Sequence, residues 1–161
     1  MIKIKQVETL VETKKVGEFI TSKDTFEHTW TPNEKEMAKQ APIDSLDNPN
    51  HCYWFANDGD RVVGAGGVRE NKFNSDGYEM DADYFAVHRV YRRQGIAKKL
   101  LQKIEQYVKE KQGRYIHIVS CDIDFYQPAR TFYQKAGYQQ VAKIPDYYVE
   151  GEGRVDFFKK L

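Results

Sequence analysis

Apolar and polar positions alternate from the first residues. Ile2 and Ile4, with Gln6 in the same phase, are separated by lysines, which predicts a strand over residues 2–7. Leu10, Val11, Phe19 and Ile20 then predict an amphipathic helix running to about Thr21. From Asp24 to Asn50 the chain is polar and carries Pro32, Pro42 and Pro49 as breakers, so only a short helix around Glu34–Gln40 is expected there. A connection this long is uncommon unless it serves function. Strands follow at His51–Ala56 and Arg61–Arg69, joined by the hairpin turn Asn57-Asp58-Gly59-Asp60. Gly64, Gly66 and Gly67 in the second of these predict a close approach or a bulge. Beyond a loop at Asn71–Gly77, Tyr78–Val87 reads as a strand and Tyr91–Lys111 as a long helix ending at Gly113. Tyr115–Asp122 reads as a strand, and Gln127–Ala136 as a helix stopped by Gly137. Tyr138–Ile144 and Arg154–Lys160 form the expected last antiparallel pair.

The order β-α-(α)-β-β-β-α-β-α-β-β requires only one parallel pair, across the long helix. The expected fold class is therefore α/β: one domain over residues 1–161, with a mixed central sheet of six to seven strands, about four flanking helices and a central parallel β-α-β unit. The length suits a single core. The formal net charge of +1 gives no bulk attraction to nucleic acid or anionic membrane. No apolar run approaches the length of a membrane span, and the N-terminus lacks the apolar core of a signal peptide. Cys52 and Cys121 stand far apart with no metal-ligand spacing, so a reduced, cytoplasmic protein is the expectation.

The chemistry is concentrated between Tyr78 and Lys111. After Tyr84-Phe85-Ala86-Val87 comes Tyr91-Arg92-Arg93-Gln94-Gly95-Ile96-Ala97, then a helix whose Ile96, Leu100, Ile104 and Val108 form one apolar face beside Leu101. A helix opening on a strand presents free N–H groups and a positive dipole end, which bind phosphate oxygens when the backbone can be approached closely. Gly95 and Ala97 remove the bulk that would prevent it. Arg92 and Arg93 at the mouth, with Lys98 and Lys99 on the first turn, add positive charge. The ligand predicted is a diphosphate, held without a metal.

Arg92-Arg93-Gln94-Gly95-Ile96-Ala97, flanked by Phe85-Ala86-Val87 and Tyr91, resembles the acyl-CoA loop of the GNAT superfamily of acetyl-CoA-dependent N-acetyltransferases. His88 and Arg89 depart from that family's frequent acidic residue and proline. A second block, Ala129-Arg130-Thr131-Phe132-Tyr133-Gln134-Lys135-Ala136-Gly137-Tyr138, resembles the family's later helix, with Tyr138 in place of phenylalanine. Tyr126 stands where the family often has an asparagine that holds the pantetheine arm.

The resemblance implies direct transfer of an acetyl group from acetyl-CoA, as cosubstrate, to a primary amine. Phe85, Ala86 and Val87 would supply backbone groups to the pantetheine and the oxyanion, and Arg92 to Lys98 would hold the diphosphate. Tyr133 matches the family's general acid. Glu79, Asp81 and Asp83 alternate, which predicts three carboxylates on one strand face that attract a cationic amine; Asp81 lies nearest the family's catalytic glutamate, with Glu79 beside it. A solvated charged face is an equal reading of these acids, and water can serve as the base. Cys121 has no adjacent base, His117 is flanked by isoleucines as a core histidine, and His28, His51 and His88 show no metal spacing. Asp146, Tyr147, Tyr148, Glu150 and Glu152 are expected in the last connection, where with Trp30, Asp44 and Asp47 they would rim the acceptor site. Such a rim suits a small cationic amine or a protein amine. The resemblance also admits a homodimer. The alternative is a catalytically inactive acyl-CoA-binding module, which would have no use for the Tyr133 hydroxyl. A nucleotide site is disfavoured by the absence of P-loop and dinucleotide fingerprints.

Overall fold

The computed structural model describes residues 1–161. Its strands are β1 (Ile2–Gln6), β2 (His51–Asp58), β3 (Arg61–Glu70), β4 (Gly77–Met80), β5 (Ala86–Val87), β6 (Tyr115–Cys121), β7 (Gln139–Val149) and β8 (Glu152–Lys160). The helices are α1 (Leu10–Ile20), α2 (Pro32–Asp44), α3 (Ile96–Glu110) and α4 (Gln127–Lys135). The sheet runs β1-β2-β3-β4-β6-β8-β7, with β5 paired to β3 beside it. Only β4 and β6 are parallel, from Gly77 opposite Tyr115 to Met80 opposite Ile118, as the element order requires.

Two cores cover the two faces. On one, Ile96, Leu100, Leu101, Ile104 and Val108 of α3 are all buried against Trp54, Val68, Tyr78, Ile116 and Phe157. Each such side chain contributes roughly 1.5–3 kcal/mol on removal from water. The glycines of β3 set this distance: a Cβ on Gly64 would stand 2.9 Å from Ile96 Cγ2, and one on Gly66 2.5 Å from the Phe85 ring. On the other face Val16, Phe19 and Ile20 of α1 and Ala38 and Ala41 of α2 pack on Tyr53, Phe55 and Ala65. The one irregularity in the β2–β3 ladder lies opposite the Ala56–Asn57 step, where Val63 of β3, next to Gly64, is the extra residue, as a bulge in that strand requires.

Four expectations from the sequence are corrected. The strand predicted over Tyr78–Val87 is broken at residues 81–85: β4 pairs with β3 at Arg69 and Glu70, β5 pairs with β3 at Gly64 and Ala65, and the chain between them leaves the ladder. The helix predicted from Tyr91 begins at Ile96, because Arg93 (φ 62°) and Gly95 (φ 80°) are left-handed and only a single 3-10 turn, Arg89–Tyr91, precedes them. α2 is longer than the predicted Glu34–Gln40, since Pro32 sits in the first turn, where a missing N–H costs nothing, and Glu34 accepts the Thr31 N–H; Pro42 is accommodated near its end. β7 runs through the predicted connection to Val149; its ladder lapses between Ile144 and Val149, where Asp146 is left-handed (φ 55°), and Pro145 is tolerated because β7 is the sheet edge.

Candidate active site

The break between β4 and β5 is held open by a buried ion pair. Asp83 is almost fully buried (1% exposed); it accepts from Nε2 of His51 on β2 at 2.7 Å and from Nε and Nη2 of Arg69 on β3, the latter at 2.9 Å. Burial alone would raise the Asp83 carboxyl, but the hydrogen bonds from His51 and Arg69 outweigh it and hold the group below the usual range. Pulling Asp83 towards β2 and β3 takes the chain out of strand geometry. The three carboxylates therefore do not share one face. Asp83 is consumed by this pair. Asp81 is half exposed, with Arg154 Nη1 3.9 Å away, and Glu79 stays in β4 beside His117. Burial, and then Asp81, raise the Glu79 carboxyl.

A cavity of about 120 Å3 occupies the break. Ile118 and Ser120 alternate along β6 with Val119 and Cys121, so the two pairs face opposite sides of the sheet. All four line the cavity, which therefore reaches both sides. Tyr133 of α4 also lines it, packed 5.7 Å from the Phe157 ring; burial pushes its phenol up, so the hydroxyl is protonated at neutral pH. Glu34, Asp81, Glu152 and Tyr148 line the cavity as well. Beside the paired Asp83, three carboxylates (Glu34, Asp81 and Glu152) line it against no lysine or arginine, in a chain whose net charge is +1. The local potential is thus negative although the protein is nearly neutral.

The predicted phosphate loop lies at the far end of β5. Gly95 caps α3 in a left-handed conformation, and a Cβ placed on it would meet no atom within 4 Å, so the first-turn amides open onto free space. Gln94, Gly95 and Lys98 are exposed, Ala97 is half-buried, and the Ile96 side chain turns into the core, leaving only its amide at the helix end. Arg92 is exposed in the loop, but its guanidinium is not free. Its Nη2 donates to the Thr25 carbonyl at 2.9 Å, its Nε to the Val87 carbonyl at 3.3 Å, and it stacks 5.2 Å over Phe125. It clamps the loop to the body, and Arg93 alone of the two is left free at the surface.

The predicted acceptor rim is brought together only in part. Glu152 lines the cavity and accepts from the Thr29 N–H and hydroxyl, and Tyr148 lines it from β7. Asp146 instead accepts the Gly151 N–H at 2.7 Å and closes the β7–β8 turn, while Asp44 accepts from Gln40 on its own helix. Asp47, Tyr147 and Glu150 lie outside the cavity. Sequence reasoning missed His28, Glu34 and Tyr84. The only local signal was Phe26-x-His28-x-Trp30, an alternation of rings within a polar segment; these rings now cluster with Tyr84 and Tyr126, His28 lying 4.5 Å from Trp30. His117 bonds Asp156 at 2.9 Å on the sheet face rather than sitting in the core, and both cysteines are buried and free.

Comparison with known proteins agrees with this geometry. The model of the acetyltransferase (GNAT) family matches residues 19–138. YsnE of Bacillus subtilis (strain 168), named as an uncharacterized N-acetyltransferase, is 25% identical over 119 residues, covering 74% of this chain and 76% of that protein. A crystal structure from Desulfovibrio desulfuricans, provisionally assigned to the GNAT acetyltransferases, superposes with a TM-score of 0.83 at 19% identity over 99% of both chains. An aminoglycoside 6'-N-acetyltransferase complexed with coenzyme A does so with a TM-score of 0.74 at 18% identity, over 98% of this chain and 96% of that one. These structures share the fold.

Proposed function

The chain belongs to the acetyltransferase (GNAT) family, and from that premise we propose that it moves an acetyl group from acetyl-CoA directly to a primary amine that is cationic in solution, either a small amine or a protein amine. The observation that carries this reading is the cavity through the sheet, with the Tyr133 hydroxyl on it and a carboxylate-lined mouth free of lysine and arginine.

The first-turn amides of α3, with Gln94, Gly95 and Lys98, receive the diphosphate of acetyl-CoA, and Arg93 adds charge at the surface. β5 pairs with β3 on one side only; the Ala86 groups turn to β3, so the backbone groups of Phe85 and Val87 on either side of it are offered to the pantetheine arm as to an added strand. The same peptide groups, beside the break, meet the oxyanion that forms on the thioester carbonyl. Asp81 and Glu152 draw the ammonium form of the acceptor into the cavity. After the amine attacks, the C–S bond breaks and Tyr133 donates its proton to the leaving thiolate; its burial keeps that proton in place until then. Glu79, outside the cavity, biases the potential from β4 without touching the amine.

The test is thiol release from acetyl-CoA against a panel containing 1,4-diaminobutane, tyramine, an aminoglycoside and peptides with free N-termini, with Tyr133→Phe alongside. An amine should stimulate release by the wild-type protein, and Tyr133→Phe should lower kcat by about 10²–10⁴ while still binding CoA. CoA binding with no turnover of any amine would favour the inactive acyl-CoA-binding module; no CoA binding would defeat the reading.

A further inference from the structure

His28, in the connection between α1 and α2, has both ring nitrogens engaged. Its Nε2 lies 2.8 Å from Oε1 of Glu34 and its Nδ1 2.6 Å from the hydroxyl of Tyr126, which is 98 residues away in sequence. A carboxylate can only accept, so Nε2 carries the proton and Nδ1 of the neutral ring accepts from the Tyr126 O–H. Glu34 is itself fixed, because the Tyr84 hydroxyl donates to Oε1 and the Thr31 N–H to Oε2. Burial works against ionisation of Glu34, but the bonds from His28 and Tyr84 outweigh it, and its carboxyl is held below the usual range. Glu34, His28 and Tyr126 all line the cavity that Tyr133 lines. Simple packing of aromatic rings does not call for a carboxylate aligned behind an imidazole that is in turn aligned behind a hydroxyl. That order is what transferring a proton away from a cavity requires.

We propose that this array receives the proton lost by the acceptor amine, with Tyr126 as the group that meets the amine and His28 and Glu34 acting through it. The proposal rests on the amine acetylation set out above. The ammonium first loses one proton to solvent. As the neutral amine nitrogen then bonds to the thioester carbonyl carbon, a second proton passes from it to the Tyr126 oxygen, and the Tyr126 proton passes to His28 Nδ1. The resulting imidazolium is held by the Glu34 carboxylate. The C–S bond then breaks and the thiolate takes the Tyr133 proton. His28 releases its proton to solvent and Tyr133 regains one, so the protein returns to its starting state and the one proton shed by the ammonium before attack is the net release. The groups facing His28 are Glu34 of α2, Tyr84 from the β4–β5 break, Tyr126 before α4, and Glu152 of β8 through its bonds to Thr29. Asp81 and Glu79 then contribute charge rather than accept the proton.

Two measurements on the full chain test the relay. Histidine ¹⁵N NMR should show His28 as the Nε2–H tautomer with a hydrogen-bonded Nδ1; the Nδ1–H tautomer would overturn it, since that nitrogen could then accept no proton. The pH profile of kcat/KM, taken with whichever amine of the panel is turned over and referred to the neutral fraction of that amine at each pH, should fall on the acid side for the wild-type protein. Tyr126→Phe, which keeps the ring, should lower kcat by about 10²-fold without changing the KM for acetyl-CoA. His28→Gln should lose the acid limb, and a variant that kept both rate and limb would refute the proposal. If the wild-type protein turns over no amine at all, the acetylation reading fails, and the tautomer alone then decides whether the relay exists.

Discussion

Replacing Asp83 with alanine isolates the interaction that opens the sheet. The carboxylate is buried, and so is the His51 ring that donates to it, with 1% of its side chain exposed; Arg69 keeps 27% of its side chain exposed. Removing one partner of a buried pair costs about 3–5 kcal/mol, because the other is left without compensation. Here Arg69 can turn to water while His51 cannot, so the lower end, about 3 kcal/mol, is expected. For a domain of this size that lowers the melting temperature by about 6–12 °C. The assay is urea and thermal unfolding followed by circular dichroism, at several pH values. The native carboxyl of Asp83 is depressed relative to the unfolded chain. Its contribution is therefore complete above the unfolded value of about 3.9 and is lost as the pH falls through the lower native value. The gap between the wild-type protein and Asp83→Ala should be constant from pH 7 to about pH 5 and close below about pH 4. A loss under about 1 kcal/mol at neutral pH, or a gap that persists unchanged into strong acid, would refute the reasoning.

Gly95→Ala places a methyl group in open space but on a left-handed residue, so it should cost roughly 1–2 kcal/mol of stability. The same methyl should keep a phosphate oxygen from the first-turn amides and weaken CoA binding by about tenfold, read by calorimetric titration; an unchanged Kd would mean that phosphate does not approach this residue. Thr9→Ala removes the oxygen that accepts the Glu12 N–H at 3.2 Å, while Glu12 accepts the Thr9 N–H at 3.1 Å in return. Without this cap the protein should be about 1 kcal/mol less stable in urea unfolding, with CoA binding intact.

Much of the framework was legible because its causes are local. The apolar stripe of α3, the turn at Gly59, and Gly137 in left-handed geometry after α4 each depend on residues within a turn or two of one another. The loop through Gly95 and the placement of Tyr133 were legible for the same reason, since a strand, a tight turn and a helix in succession specify where their junction lies. The errors fell where a residue's partner lies elsewhere in the chain. Tyr78–Val87 has the alternation of a strand, and nothing within it reveals that Asp83 pairs with His51, 32 residues earlier. Arg92 looked like a free phosphate ligand because Thr25, 67 residues away, is invisible to local pattern.

By itself, then, the sequence determined the order of elements, the single parallel pair, the buried face of α3 and the open helix end. Periodicity, capping and turn chemistry act over a few residues and do not need the rest of the chain. Tertiary structure alone decided that the sheet parts between β4 and β5, that the parting becomes a cavity reaching both faces, and that His28, Glu34 and Tyr126 align on it. Those outcomes depend on strand register and on buried charges and hydrogen bonds between distant residues, whose energies exist only once the chain has brought the partners within about 3 Å of each other.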